Sequence, residues 1–208
     1  IIICRSESPV PLKIKEKLSI FANIPVSRVI NCYDTENIYT IPVFLMEQGI
    51  VKEILNTLGF HKTNGSRPEF RKWLELVDKI RATKKTVKIG MVGKYTNVHD
   101  SYISILKALE HTAPYLGCKV DVEWIETTNL DRSNAEKLLQ GLDGIIVPGG
   151  FGSRGTEGKI ECIRYAREND MPFLGICFGF QLACIEFARN VCGLEKANST
   201  EIDPDTPE

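Results

Sequence analysis

A repeated alternation of short apolar runs and amphipathic stretches, beginning at Val87, constrains the fold of this chain more than any other feature. Four apolar runs predict strands, at residues 87–92, 120–125, 144–147 and 172–176. Four further stretches have the periodicity of helices, at residues 101–112, 133–139, 158–168 and 179–191. Strands that are joined through helices pair in parallel, so this order predicts an α/β fold with a mostly parallel sheet and helices on both faces.

The residues before Val87 follow a different pattern. Residues 1–60 contain two strand-like runs, with helices predicted at 13–21 and 41–58. A turn-forming segment at 64–68 precedes an amphipathic helix at 69–81. We therefore predict an α/β region at 1–60, a linker with a helix at 61–85, and a second domain at 86–208.

Composition narrows the class of protein. The 208 residues are 43% hydrophobic with a net charge of −1, which gives no reason to expect nucleic-acid or membrane partners. Seven cysteines without C-x-x-C pairs argue against a disulfide framework or a zinc site and favour a reducing compartment, the cytoplasm. Cys162, Cys184 and Cys192 are predicted to be packing residues. The lack of an initiator Met and the unclosed final segment predict an internal piece of a longer protein.

The segment G-I-C-F-G at residues 175–179 lies between a predicted strand and a predicted helix. This pattern is typical of a nucleophile elbow, in which a sharp turn presents one side chain above the sheet. Here the side chain is the thiol of Cys177, and the following helix N-terminus favours its thiolate. The backbone N–H groups of Phe178 and of Gly150, in the glycine loop 148–152, are predicted donors to a developing oxyanion.

The base that such chemistry requires is not evident. His61 lies in the linker region, His111 ends a helix at the wrong edge of the sheet, and His99 follows the first strand of the second domain. We expect none of them to be the base, which would then be missing or lie beyond Glu208.

Three segments resemble a known family, the class I glutamine amidotransferase domain of CTP synthases. They are residues 147–152 (V-P-G-G-F-G), 175–181 (G-I-C-F-G-F-Q) and 197–201 (A-N-S-T-E). Residues 89–95 (I-G-M-V-G-K-Y) resemble the start of that domain, and 4–6 and 34–42 resemble the end of the family's P-loop-type synthetase domain. The elbow differs from the usual G-I-C-L-G-M-Q at Phe178 and Phe180, which both stay apolar.

The resemblance implies an enzyme that converts UTP into CTP with ATP and with ammonia released from glutamine. It implies that Cys177 is the nucleophile of a Cys-His-Glu triad whose His and Glu lie further on. The residues that it assigns to glutamine binding are Gly150, Phe178, Gly179, Phe180, Gln181 and Glu201, the last as partner of the substrate's α-ammonium group.

The same resemblance places Arg5 and Thr35 near the ATP adenine, and Lys17 and Phe21 near the pyrimidine nucleotide. It implies a magnesium-dependent, tetrameric enzyme with CTP as feedback inhibitor. The family's P-loop and magnesium-binding carboxylates are not in these residues, since no G-x-x-x-x-G-K-[ST] occurs. We therefore expect this stretch to be inactive by itself.

Two alternatives stay open at this point. One is a stand-alone hydrolase or glyoxal-modifying enzyme built on the same elbow. The other is a catalytically inactive binding or assembly module, in which residues 1–60 form a subunit interface.

Overall fold

A computed structural model gives the fold and describes residues 1–60, 68–93, 99–150 and 152–207. The chain forms two compact units, Ile1–Arg81 and Ala82–Glu208. The predicted turn at 64–68, except for Pro68, lies outside the described residues, as do His61 and Phe151.

The first unit is built around two parallel strands, β1 (Ile2–Ser6) and β2 (Val29–Tyr33). Helix α1 (Leu12–Ala22) connects them, and α2 (Ile41–Glu47), α3 (Ile50–Thr57) and α4 (Pro68–Ala82) follow. The indole of Trp73 on α4 donates a hydrogen bond to the Tyr39 carbonyl, 2.9 Å away, and attaches this helix to the unit.

One helix prediction in this unit is wrong. The stretch 41–58 forms two helices because Gly49 has a φ of 80°, a left-handed conformation that ends α2. The residue before it, Gln48, exchanges two hydrogen bonds with the backbone of Asn31 on β2, at 2.8 and 2.9 Å. The break between the helices therefore places the Gln48 amide where it satisfies the N–H and the carbonyl of Asn31 on β2.

The second unit contains a four-stranded parallel sheet in the order β4-β3-β5-β6. The strands are β3 (Lys85–Gly93), β4 (Cys118–Glu126), β5 (Gly144–Val147) and β6 (Phe173–Gly175). The helices are α5 (Ile103–Thr112), α6 (Arg132–Leu139), α7 (Thr156–Glu168) and α8 (Phe178–Asn190). These elements confirm the α/β prediction, with boundaries that differ by a few residues.

The strand order determines which face each helix covers. The step from β3 to β4 runs in the opposite direction along the sheet to the steps from β4 to β5 and from β5 to β6. Right-handed connections therefore place α5 on one face and α6 and α7 on the other. The main core lies between β5 and the helices α6, α7 and α8, and its fully buried members include Leu139, Val147, Cys162 and Leu182.

Within the described ranges, no helix has both the length and the apolar character needed to cross a bilayer.

Candidate active site

Cys177 lies in the turn between β6 and α8, where its backbone has φ 53° and ψ −111°. This is a sparsely populated conformation for a residue with a side chain, and such conformations concentrate at functional sites. The thiol is exposed, while the next two residues, Phe178 and Gly179, are buried. The turn thus has the form of a nucleophile elbow and presents sulfur to solvent at the carboxyl edge of the sheet.

Two glycines make this turn possible. A methyl group on Gly179 would lie 2.0 Å from the carbonyl oxygen of Val147, and one on Gly175 would lie 2.8 Å from backbone atoms of Gly179. Both distances are far below contact. The helix after Cys177 therefore approaches β5 and β6 more closely than any residue with a side chain allows.

The glycine loop after β5 lies beside the cysteine. A methyl group built on Gly149 would be 3.4 Å from Cβ and 3.9 Å from Sγ of Cys177. Gly150 has a φ of 142°, which only glycine adopts readily. Phe178 is the first residue of α8, so its N–H has no intrahelical acceptor. The structure thus brings together Cys177, the Phe178 N–H and the loop that contains Gly150, the three parts predicted for acyl chemistry.

A buried cation lies beneath the elbow. Lys159 on α7 is 2% exposed, and its Nζ lies 5.7 Å from the centre of the Phe178 ring. This geometry fits a cation–π interaction. The side chain of Phe178 is therefore held in the interior at the start of α8.

Glu201 lies in a compact turn after α8. Its N–H donates to Oγ of Ser199 at 3.2 Å, and the Ser199 carbonyl accepts from Ile202 and Asp203 at 2.9 Å. The carboxylate is exposed, as a partner for a substrate ammonium group must be.

The prediction from sequence did not include the side chain that ties this turn to α8. Arg189 donates from Nε to the Ala197 carbonyl at 2.6 Å and from Nη1 to both carboxylate oxygens of Glu157 at 3.0 and 3.1 Å. A lone Arg in the last turn of a helix is a weak sequence signal, because which carbonyl it meets depends on how the chain returns after Gly193.

The remaining glutamine-binding predictions fall on the first turn of α8. The Phe180 and Gln181 N–H groups donate to the Cys177 carbonyl at 3.0 and 3.2 Å. The Phe180 side chain, 62% exposed, lines a shallow apolar groove on α8 together with Cys184, Phe187 and Cys192.

The histidines fall on different parts of the chain. His111 is in the last turn of α5, which runs back from the carboxyl end of β3 to the amino end of β4. It therefore lies at the sheet edge opposite to Cys177. His99 is in a short 3₁₀ helix at residues 99–102 and its side chain is not described.

The predicted nucleotide-binding residues lie at two places in the first unit. Arg5 at the end of β1 forms an ion pair with Asp34, which is next to Thr35. Lys17 and Phe21 are one helical turn apart on α1, and Phe21 is 89% exposed.

The other thiols behave differently from one another. Burial, aided by the charge of Glu161, raises the pKa of the Cys162 thiol to about 12, so it is the inert packing residue predicted. The same prediction is wrong for Cys184 on α8 and for Cys192 just after it, since both are exposed. Among the residues that the structure describes, no three His, Cys, Asp or Glu side chains form a group that could hold a metal ion.

A comparison with protein families gives the context of this site. Residues 97–203 match the family model described as glutamine amidotransferase class-I, which covers half of the chain. The chain belongs to the class-I glutamine amidotransferase family. A second model, CTP synthase N-terminus, matches residues 1–60 of this amidotransferase.

Individual relatives agree with both models. CTP synthase of Thermococcus gammatolerans is 50% identical over 99% of the chain, and that of Methanosarcina acetivorans is 48% identical over 100% of it. The amidotransferase chain spans 38% of the length of each of these relatives. The solved glutaminase domain of Trypanosoma brucei CTPS with bound acivicin is 40% identical, with a TM-score of 0.55, over 59% of this chain and 48% of that one. The resemblance to CTP synthases is confirmed.

Proposed function

We propose that this chain is part of a CTP synthase, in which residues 86–208 release ammonia from glutamine and residues 1–60 close a synthetase domain that aminates UTP. Residues 61–85 link the two parts. The observation that carries the proposal is the collinear match of both family models, with about half of all residues identical to CTP synthases across their junction.

The site supports the first half-reaction as follows. The Cys177 thiolate attacks the carbon of the glutamine side-chain amide, and the oxygen of that amide takes up negative charge. The N–H groups of Phe178 and Gly150 are in the elbow and in the adjoining loop, where they can donate to that oxygen. The C–N bond then breaks, the amide nitrogen takes up a proton from the proton-transferring His and leaves as ammonia, and a thioester to Cys177 remains. Water hydrolyses it to glutamate.

Substrate recognition is assigned to residues around this centre. Glu201 receives the α-ammonium group of glutamine, and the segment 178–181 surrounds the side-chain amide. We place the proton-transferring His and its Glu outside the described residues, because His111, the histidine whose side chain the structure describes, lies at the opposite edge of the sheet.

The nucleotide roles belong to the first unit. Arg5 and Thr35 contact the ATP adenine, and Lys17 and Phe21 contact UTP, or CTP as feedback inhibitor. We place the Mg²⁺ that ATP requires outside this segment, because no G-x-x-x-x-G-K-[ST] phosphate loop occurs in its sequence. A cytoplasmic homotetramer is the assembly that the CTP synthase proposal implies.

The test uses the full-length protein. Acivicin should alkylate Cys177 and leave Cys162 unmodified at pH 8, since the pKa of about 12 keeps the buried thiol protonated. Peptide mapping by mass spectrometry reads both sites.

Activity assays then separate the two reactions. Cys177→Ala should abolish CTP formation from glutamine and retain CTP formation from ammonium chloride, while the control Cys192→Ala, which changes an exposed thiol just beyond the other end of α8, should retain both. Retention of the glutamine-dependent reaction in Cys177→Ala would refute the proposal, as would failure of the wild-type protein to form CTP from either nitrogen source.

A further inference from the structure

Three parts of the proposed glutaminase meet at one guanidinium group, that of Arg189. The Nε atom donates to the carbonyl of Ala197 at 2.6 Å, and Nη1 donates to both oxygens of Glu157 at 3.0 and 3.1 Å. The Arg189 side chain is 20% exposed, whereas that of Glu157 is 71% exposed. The inner end of this network is therefore the bond to Ala197, and the outer end is the ion pair.

The Ala197 carbonyl begins the turn that carries Glu201. Ala197 itself is 5% exposed. Beyond it, Asn198 Oδ1 accepts from the Ser199 N–H at 3.0 Å, and Ser199 makes the bonds to residues 201–203 described above. The turn is held together by its own short-range bonds and has two anchors, the bond from Arg189 to Ala197 at its start and the packing of Ile202 against the core. Glu201 lies between these anchors, so its placement depends on the bond to Ala197.

The other two connections lead to the reacting centre. Arg189 is in the last turn of α8, and Cys177 is the N-cap of the same helix. Glu157 is in the first turn of α7, which begins at Thr156, six residues after Gly150. The guanidinium therefore connects the turn that carries Glu201 to the helix that begins at the nucleophile and to the start of α7.

We propose that Arg189 is a positioning residue for glutamine binding, which holds the turn 197–203 so that Glu201 meets the substrate's α-ammonium group. This inference rests on the proposed function. Arginine suits the role because its planar fork donates in two directions at once, to a carbonyl and to a carboxylate. The single ammonium of lysine cannot reproduce this geometry.

The placement predicts a distinct kinetic effect. The α-ammonium group of glutamine is remote from the amide that reacts, so its contact with Glu201 is the same in the ground state and in the transition state. Loss of that contact weakens binding and leaves the chemical step unchanged. A residue with a merely structural role would affect both.

The experiment measures Cys177 alkylation by acivicin in the full-length protein and separates the affinity constant KI from the maximal rate kinact. Arg189→Met should raise KI, and KM for glutamine, by about tenfold, the order expected for one hydrogen bond from a charged group. The kinact value and ammonia-dependent CTP formation should stay within about twofold of wild type. Arg189→Lys should resemble Arg189→Met.

Two further variants make the test robust. Glu157→Gln removes only the exposed ionic half of the network, and it should raise KI by about twofold to threefold without threatening the fold. Arg132→Met, which removes an exposed arginine that pairs with Glu168 at 3.5 Å, is the matched control and should leave KI unchanged.

Each alternative outcome is informative. An unchanged KI in both Arg189→Met and Glu157→Gln would overturn the inference, as would equal losses in kinact and in affinity. A wild-type protein that acivicin does not label at Cys177 would refute the proposed function itself, whatever the variants do.

Discussion

At the scale of single residues, the elbow depends on a strained backbone at one residue and on the absence of a side chain at another. Cys177 has a strained backbone that a side chain tolerates poorly, and Gly179 lies where no side chain fits at all. Strain of this kind persists only when the surroundings impose it. Here the strain at Cys177 is imposed by the close contact between β5 and the first turn of α8. That contact requires glycine at position 179.

The first prediction follows from that contact. Gly179→Ala should lower the free energy of unfolding of the second unit by about 3 kcal/mol, because its methyl group would overlap the Val147 carbonyl oxygen at 2.0 Å. Fluorescence of Trp124 during urea unfolding, in a Trp73→Phe background, measures this quantity. The matched control is Gly193→Ala, where φ is 74° and the space is open, with an expected cost of about 1 kcal/mol. Equal costs for the two variants would contradict the role of close approach.

The sequence predicts some residues of the site and not others for a physical reason. Cys177 and Gly150 belong to short motifs in which the neighbouring glycines predict the backbone conformation. Arg189 belongs to no such pattern, because its partner Ala197 comes into reach only after the chain reverses at Gly193. Side chains whose role depends on a tertiary contact leave no short-range signal.

At the scale of elements, α7 and α8 are joined by a buried carboxylate. Glu186 on α8 is 1% exposed, and it accepts three hydrogen bonds from Arg167 on α7, at 2.9 to 3.1 Å. Asn190 donates a fourth at 3.1 Å. The hydrogen bond to Glu186 is the largest cause of the raised pKa of the Arg167 guanidinium.

The second prediction concerns this pair. Arg167→Met should destabilise the second unit by about 3 kcal/mol, because it leaves a buried carboxylate without its cation. The double variant Arg167→Met with Glu186→Leu should regain most of that loss, since no charge then remains in the interior. Urea unfolding followed by circular dichroism measures both. A double variant that is no more stable than Arg167→Met would show that the ion pair itself stabilises the helix contact.

Strands and helices could be predicted where the spacing of apolar residues alone determines them. The four strands and four helices of the second unit follow from apolar patterns in residues 87–191. The break at Gly49 was missed because the apolar pattern of residues 41–58 continues through it, while its cause is a bond from Gln48 to a strand. Cys184 and Cys192 were predicted to be packing residues because of their spacing after Cys177, yet both are exposed in the structure.

At the scale of the whole molecule, the chain contains two compact units that match different family models. Sequence patterns alone indicated the change in organisation near Val87, because strand–helix alternation is readable over long stretches. They could not supply the catalytic base, because a triad is assembled from side chains that are distant in sequence. The described side chains do not supply one either, since His111 lies at the far edge of the sheet.

The last prediction follows from that separation. The 208-residue chain and the full-length protein should both react with iodoacetamide at Cys177, because this reagent needs only an accessible thiol and Cys177 is exposed. Glutamate release by the 208-residue chain should nevertheless be at least about 10⁴-fold slower than by the full-length protein, the order of the loss when a triad lacks its base. A coupled glutamate assay on both proteins at equal Cys177 labelling capacity measures the ratio. Rates within tenfold of each other would mean that the base lies within these residues, and His99→Ala would then test the histidine that follows β3 in the sequence.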